Sequence, residues 1–185
     1  MDALRFRLDR AKTAVLIVDL QEKLGQAMDA AKLARVVNRA RALIEGAKAL
    51  SLPVVVTEQY PKGLGPTIAE LRAALPEGTH AVEKIDFPAM LPAVVELLGG
   101  RKQVLLCGME AHVCVFQTAR DLLEKGGVPF VCSDGVLSRN EEDLRCGLER
   151  ARDLGAVITT VEAALFDLVG KAGTPEFKKV SAAVK

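Results

Sequence analysis

The sequence predicts an α/β fold: a three-layer α/β/α sandwich around a six-stranded parallel sheet of order 3-2-1-4-5-6. Two observations predict it. Apolar, β-branched runs alternate with segments of helical period along the chain, the pattern of strands joined by crossover helices. The runs also lack in-and-out polar alternation, as expected of parallel strands covered on both faces. Right-handed crossovers between six such strands favour the stated order. No repeat, low-complexity stretch or linker interrupts the pattern, so residues 1–185 read as a single domain.

The elements follow in order. "TAVLIVDL" (13–20) is a buried strand closing on an acidic residue. "AAKLARVVNRARALIEGAKAL" (30–50) is a helix, because Leu33, Val36, Val37, Ala40, Leu43, Ile44 and Ala47 recur at helical spacing. "PVVVTEQ" (53–59) is the second strand, and "GPTIAELRAAL" (65–75) a helix with Pro66 in its first turn. "HAVEKIDF" (80–87) is a short third strand with a charged exit, followed by the glycine-stopped helix "MLPAVVELLGG" (90–100). "QVLLCG" (103–108) is the fourth strand, and "HVCVFQTARDLLEKGG" (112–127) a helix ending in Gly-Gly. "VPFVCSD" (128–134) is the fifth strand, and "RNEEDLRCGLERARDLG" (139–155) a helix capped by Asn140. "AVITT" (156–160) is the sixth strand, and "VEAALFDLV" (161–169) a core helix. In the tail "TPEFKKVSAAVK" (174–185), Thr174, Pro175 and Glu176 are placed to start one more helix.

Composition excludes several classes of function. The chain is 50% apolar and 26% charged, ordinary for a globular protein, and its net charge of +1 attracts neither nucleic acid nor an anionic membrane. One Tyr and no Trp leave no aromatic platform for bases. No apolar run reaches the ~18 residues of a membrane span. "MDALRFRLDRAK" lacks the apolar segment of a secretory signal, so a cytoplasmic location with reduced thiols is expected. Cys107, Cys114, Cys132 and Cys146 form no CxxC, and His80 and His112 complete no zinc spacing, so neither a metal nor a disulfide framework is expected. "CGMEAH" is no GxGxxG and no P-loop occurs, so no cofactor is expected.

In the expected order, strands 1 and 4 are neighbours whose connections leave on opposite faces, and ligands bind in the crevice at their carboxyl ends. Asp19 closes strand 1, and Cys114 lies beyond strand 4 near the start of the next helix; both face that crevice. A helix N-terminus lowers a thiol pKa, and a nearby carboxylate can accept the thiol proton. Such a placement suits a reactive thiolate, and with Lys84 beside it Cys114 would be alkylated faster than free cysteine at neutral pH. The same placement also suits a buried helix thiol, and for Asp19 a carboxylate capping a backbone donor. Cys107, Cys132 and Cys146 read as packing residues. Lys84 ends strand 3 between Glu83 and Asp86; it either reaches along the crevice or is solvated in a charge cluster. Gln21, Gln59, Tyr60 and Phe87 sit on loops that rim the crevice, Gln21 to hold Asp19 and Tyr60 and Phe87 to form an apolar wall, or all four as loop packing. His112, two positions before Cys114 on a helix, points to another face and is not the base.

Three motifs stand in register with the strand ends: "VDLQ", "EKIDF" and "GMEAHVCVFQTA". On these the chain resembles the isochorismatase-like cysteine hydrolases, relatives of nicotinamidase and N-carbamoylsarcosine amidohydrolase. The resemblance runs from "AVLIVDLQEKL" to "VEAALFDL", and "VVTEQYPKGLGPTI" is similar to the isochorismatase-domain subgroup. It implies a triad in which Cys114 attacks a carbonyl carbon, Asp19 moves the proton, and Lys84 holds Asp19 ionised and stabilises the thiolate. It further implies a cis peptide between Met109 and Glu110 and an oxyanion hole made by the N–H groups of Glu110 and Cys114.

Departures from relatives narrow the chemistry. Nicotinamidases carry histidines after strand 2, whereas "TEQYPKGLG" has none, so no catalytic metal is expected and nicotinamide is not the expected substrate. True isochorismatases generally lack the nucleophilic cysteine, so Cys114 implies acyl or carbamoyl chemistry. Glu110, where nicotinamidases have a small residue, lines the pocket, meets a neighbouring subunit or lies at the surface. Members of the family commonly self-associate, so a homo-oligomer is expected, with the apolar face of 90–98 and the tail helix as candidate contacts. The expected function is hydrolysis of a C–N bond in a small amide or carbamoyl compound through a thioester on Cys114. The alternatives are a thiol redox protein, with Cys107 as resolving partner if the loop moved, and a non-catalytic scaffold.

Overall fold

The structure is a computed structural model that describes residues 3–185. Six strands form the sheet: β1 Thr13–Val18, β2 Val54–Gln59, β3 Val82–Lys84, β4 Gln103–Met109, β5 Val128–Leu137 and β6 Val157–Thr159. All neighbours are parallel and the order is β3-β2-β1-β4-β5-β6, as the sequence predicts. The helices are α1 Glu22–Gly25, α2 Ala30–Ala49, α3 Pro61–Leu64, α4 Ala69–Ala74, α5 Pro92–Leu97, α6 Phe116–Glu124, α7 Glu141–Leu154, α8 Val161–Val169 and α9 Pro175–Ala183.

Every residue of β1 is buried, and successive side chains enter different layers. Val15 and Ile17 pack in the layer of α2, α8 and α9 with Leu43, Ile44 and Leu165; Ala14, Leu16 and Val18 pack in the layer of α5, α6 and α7 with Val94, Val115 and Leu122. A strand covered on both faces has no polar side to show, which is why its sequence is a continuous apolar run. Asn140 and Thr174 cap α7 and α9 by accepting from the N–H groups of Asp143 and Phe177.

The structure departs from the sequence reading at the edges. β1 ends at Val18, so Asp19 lies just outside it, with φ of 54°. The helix expected over 65–75 is only Ala69–Ala74. Pro66 stands before it, because 66–68 runs beside 20–22: Glu22 N–H donates to Pro66 O, and Ile68 N–H to Leu20 O. The third strand shrinks to three residues and the fifth grows to ten, with an irregularity between Leu106 and Gly108. The helix expected from 112 starts instead as a single π-helical turn, Ala111–Val115, that leads into α6. Cys146, expected in packing, is exposed on α7, whose outer face points to water; Cys107 and Cys132 are buried as expected.

Candidate active site

The carboxyl ends of β1, β2, β3 and β4 gather a cluster of buried polar side chains. Asp19 leaves β1 in the left-handed region, a conformation that Asp tolerates better than most residues. Its N–H donates to Thr57 O (3.2 Å). The Thr57 hydroxyl donates to Asp19 Oδ1 (2.8 Å). Lys84 Nζ lies 2.7 Å from the other oxygen, Oδ2, and both side chains are fully buried. That contact is an ion pair by distance, yet Oδ2 has no well-directed hydrogen-bond donor. The ammonium spends its N–H groups elsewhere, on Gln59 Oε1 (2.7 Å), Phe87 O (2.8 Å) and Asp86 O (3.1 Å).

Cys114 sits in the π-helical turn, buried against the same carboxylate. Its sulfur is near enough to Asp19, Lys84 and the Glu110 backbone for all three to act on its titration. The Met109–Glu110 peptide is cis. Glycine is required on both sides of this turn. A Cβ on Gly108 (φ 155°) would collide with Val18 O, and one on Gly147 of α7 would stand 2.8 Å from the Ala111 carbonyl carbon and the His112 nitrogen. The Thr118 hydroxyl donates to Cys114 O (2.6 Å) and accepts from Ala89 N–H (2.9 Å), tying the turn to the loop that cradles Lys84.

Electrostatics correct the expectation of a resting thiolate. Burial pushes the Cys114 thiol up to about 12, and the adjacent Asp19 charge pushes the same way; Lys84 and the Glu110 N–H oppose them without prevailing. Burial also raises Asp19, with Lys84, Thr57 and Cys114 pulling it back. Near neutral pH the sulfur therefore keeps its proton.

The remaining expected residues divide. Gln21 does not hold the Asp19 carboxylate. Its amide donates to Gln59 O (3.0 Å) and Gly65 O (2.6 Å) and accepts from Gln59 N–H (2.8 Å), because the end of β2 leaves those groups unpaired. Gln59 is no rim residue but a buried brace, with Oε1 on Lys84 and Nε2 on Ile85 O (2.6 Å). Tyr60 and Phe87 are 52% and 54% exposed, on the loops that follow β2 and β3. Glu110 turns its carboxylate to Arg139, accepting from Nε (3.0 Å) and N–H (3.2 Å). His112 Nδ1 meets Ser138 Oγ (3.0 Å), apart from the triad, as expected. Sequence reasoning missed Thr57 and Thr118; a Thr inside the apolar run of β2 was the available signal for the first. Among the described residues, no three His, Cys, Asp or Glu side chains group as a metal cage.

The sequence profile of the isochorismatase domain matches residues 13–163. The chain belongs to the isochorismatase domain family. This isochorismatase-domain protein is 40% identical over 174 residues to isochorismatase domain-containing protein 2 of Bos taurus, covering 92% of this chain and 82% of the relative. Its fold superposes on the structure titled MAR1 ribonuclease from Caenorhabditis elegans with a TM-score of 0.91 at 38% identity, over 96% of this chain and 92% of that one. It also matches the YcaC gene product of Escherichia coli, described as an octameric hydrolase of unknown specificity, with a TM-score of 0.81 at 26% identity, over 96% of this chain and 87% of that one.

Proposed function

We propose that this single-domain protein is a cysteine hydrolase that cleaves the C–N bond of a small amide or carbamoyl compound. The observation that carries the reading is the convergence of Asp19, Lys84 and Cys114, with Asp19 Oδ2 lacking a directed donor. In this mechanism Cys114 Sγ attacks the carbonyl carbon as its proton passes to Asp19. The N–H groups of Glu110 and Cys114 receive the developing oxyanion. Collapse breaks the C–N bond, and Asp19 returns the proton to the departing amine. Water then attacks the thioester, Asp19 takes its proton, the acid leaves and the thiol reforms. Lys84, locked by three acceptors, keeps Asp19 ionised and shuttles nothing. No cofactor or metal enters the scheme.

Hydroxylamine trapping tests it. Incubated with a panel of small primary amides and N-carbamoyl compounds, the protein should release ammonia and yield hydroxamate, and Cys114→Ala should do neither. Full turnover by Cys114→Ala overturns the reading.

A second reading, RNA cleavage, is favoured by the name of the C. elegans neighbour. A net charge of +1 gives little attraction to phosphates, and degradation of RNA by wild type but not by Cys114→Ala would support it. Cys107 is fully buried in the core, which speaks against it as a resolving thiol. A cytoplasmic location is part of the proposal, supported by four free cysteines; no described helix is long and apolar enough to cross a membrane.

Self-association is part of it too. The tail helix α9 is spent inside the fold against α2 and α8. By contrast, Ile85 and Phe87 in the Lys84 loop and Val95 and Leu97 on α5 are exposed apolar side chains, candidates to meet a second copy of the chain.

A further inference from the structure

Thr57 grips Asp19 twice. Its carbonyl accepts the Asp19 N–H (3.2 Å) and its hydroxyl donates to Oδ1 (2.8 Å). Both residues are fully buried, so no water competes for these bonds. With Oδ1 occupied, Oδ2 is left as the oxygen beside Lys84 and without a directed donor. We propose that Thr57 is a positioning residue that fixes which carboxylate oxygen faces the sulfur and sets how strongly Asp19 attracts the thiol proton. The inference rests on the proposed pairing of Cys114 with Asp19.

The physics has a definite sign. A hydroxyl donating to a carboxylate favours its ionised form and so weakens it as a base. Removing the donor strengthens the base: the proton moves from sulfur to oxygen more readily, but Asp19 also stays protonated to higher pH. The charged and titratable groups facing Asp19 are Lys84 from β3 and Cys114 from the π-helical turn, and Thr57 is the neutral donor from β2. Gln59, also on β2, acts on Lys84 and leaves the carboxylate untouched.

Iodoacetamide alkylation of Cys114, followed at that peptide by mass from about pH 4 to about pH 10, reads this balance without a substrate. Peptide resolution matters because Cys146 is exposed. Wild type should show a rate rising with pH to a plateau once Asp19 ionises. In Thr57→Val the break should move up by about one pH unit and the plateau should rise roughly tenfold, with the low-pH limb unchanged. Thr57→Ser, which keeps the hydroxyl, should overlay wild type. Thr57→Ala removes the same donor with less bulk and carries the same expectation if Thr57→Val does not fold. Asp19→Asn should abolish the plateau.

A Thr57→Val or Thr57→Ala profile identical to wild type, with Asp19→Asn altered, overturns the role of Thr57 and leaves the Cys114–Asp19 pairing standing. A uniform loss of rate with an unmoved break makes Thr57 a mere structural support and also overturns it. An Asp19→Asn profile identical to wild type overturns the pairing itself.

Discussion

β1 and β4 carry a buried polar cluster at each end, and the two clusters differ in kind. At the amino ends Thr13 and Gln103 are register partners. The Gln103 amide accepts from Asp9 N–H (2.8 Å) and donates to Arg7 O (2.7 Å), and the Thr13 hydroxyl sits between Asp9 O and Gln103 Oε1. Both ends of the Gln103 amide are satisfied, and neither Thr13 nor Gln103 is charged. At the carboxyl ends a carboxylate, an ammonium and a thiol share a space sealed from water, and one carboxylate oxygen has no directed donor. Burial of polar groups is common to both clusters; charge held in proximity with an unmet acceptor belongs to one alone. The first cluster ties the N-terminal segment to the sheet, and the second stores the means of moving a proton.

Removing the cation should break the symmetry between these ends most strongly. Lys84→Met leaves the Asp19 carboxylate buried without a counter-charge, a loss of about 3–5 kcal/mol, read as a fall in the urea midpoint. The Cys114 alkylation profile should change with it. Gln103→Leu at the other end leaves the Asp9 N–H and Arg7 O without their partner and should cost about 1–3 kcal/mol. Its alkylation profile should match wild type. If Gln103→Leu shifts the profile as Lys84→Met does, the two ends are not independent and the contrast fails.

A smaller effect tests the turn that carries the sulfur. Gly147 lets α7 pass against the backbone of Ala111 and His112. In Gly147→Ala the added carbon must push that backbone or α7 aside, costing about 1–3 kcal/mol of overpacking. The alkylation rate of Cys114 should fall, since the sulfur moves relative to Asp19. A variant as stable and as reactive as wild type would show that the turn tolerates displacement.

Much of this was legible in the sequence, for identifiable reasons. A sheet covered on both faces writes its strands as continuous apolar runs, so β1, β2, β4 and β5 and their order follow from residue pattern. The strand ends placed Asp19 and Cys114 at one crevice, and Lys84 joined them only through the family resemblance. What the sequence could not convey was register. Gln59 and Lys84 are directly paired across β2 and β3, and Asp19 binds Thr57 through a backbone and a side-chain bond, so Thr57 and Gln59 are partners only once the strands are aligned. α1 and α3 are four residues each, too short for any periodicity to reveal. The resting state of Cys114 was misjudged for a different reason: position near a helix start argues for a thiolate, but the depth of burial, invisible in sequence, outweighs it.

That reversal leaves a signature in stability. Burial, the largest cause, pushes the Cys114 thiol from its ordinary 9.0 up to about 12 in the folded protein. Between those values the unfolded chain releases the proton while the native chain retains it. Native protein therefore binds more protons than unfolded, and stability must fall as pH rises through this window. By about pH 10 this residue alone should cost wild type on the order of 1.4 kcal/mol relative to about pH 8 or below. Cys107, also raised by its buried contact with Cys132, acts in the same direction in wild type and in a Cys114 variant alike. Urea titrations of wild type and Cys114→Ala at about pH 8 and about pH 10 isolate the difference. Wild type should lose more stability than the variant over that interval. Equal losses would mean that residue 114 titrates as a solvated thiol, and the two ends of β1 and β4 would then differ less than the buried ion pair implies.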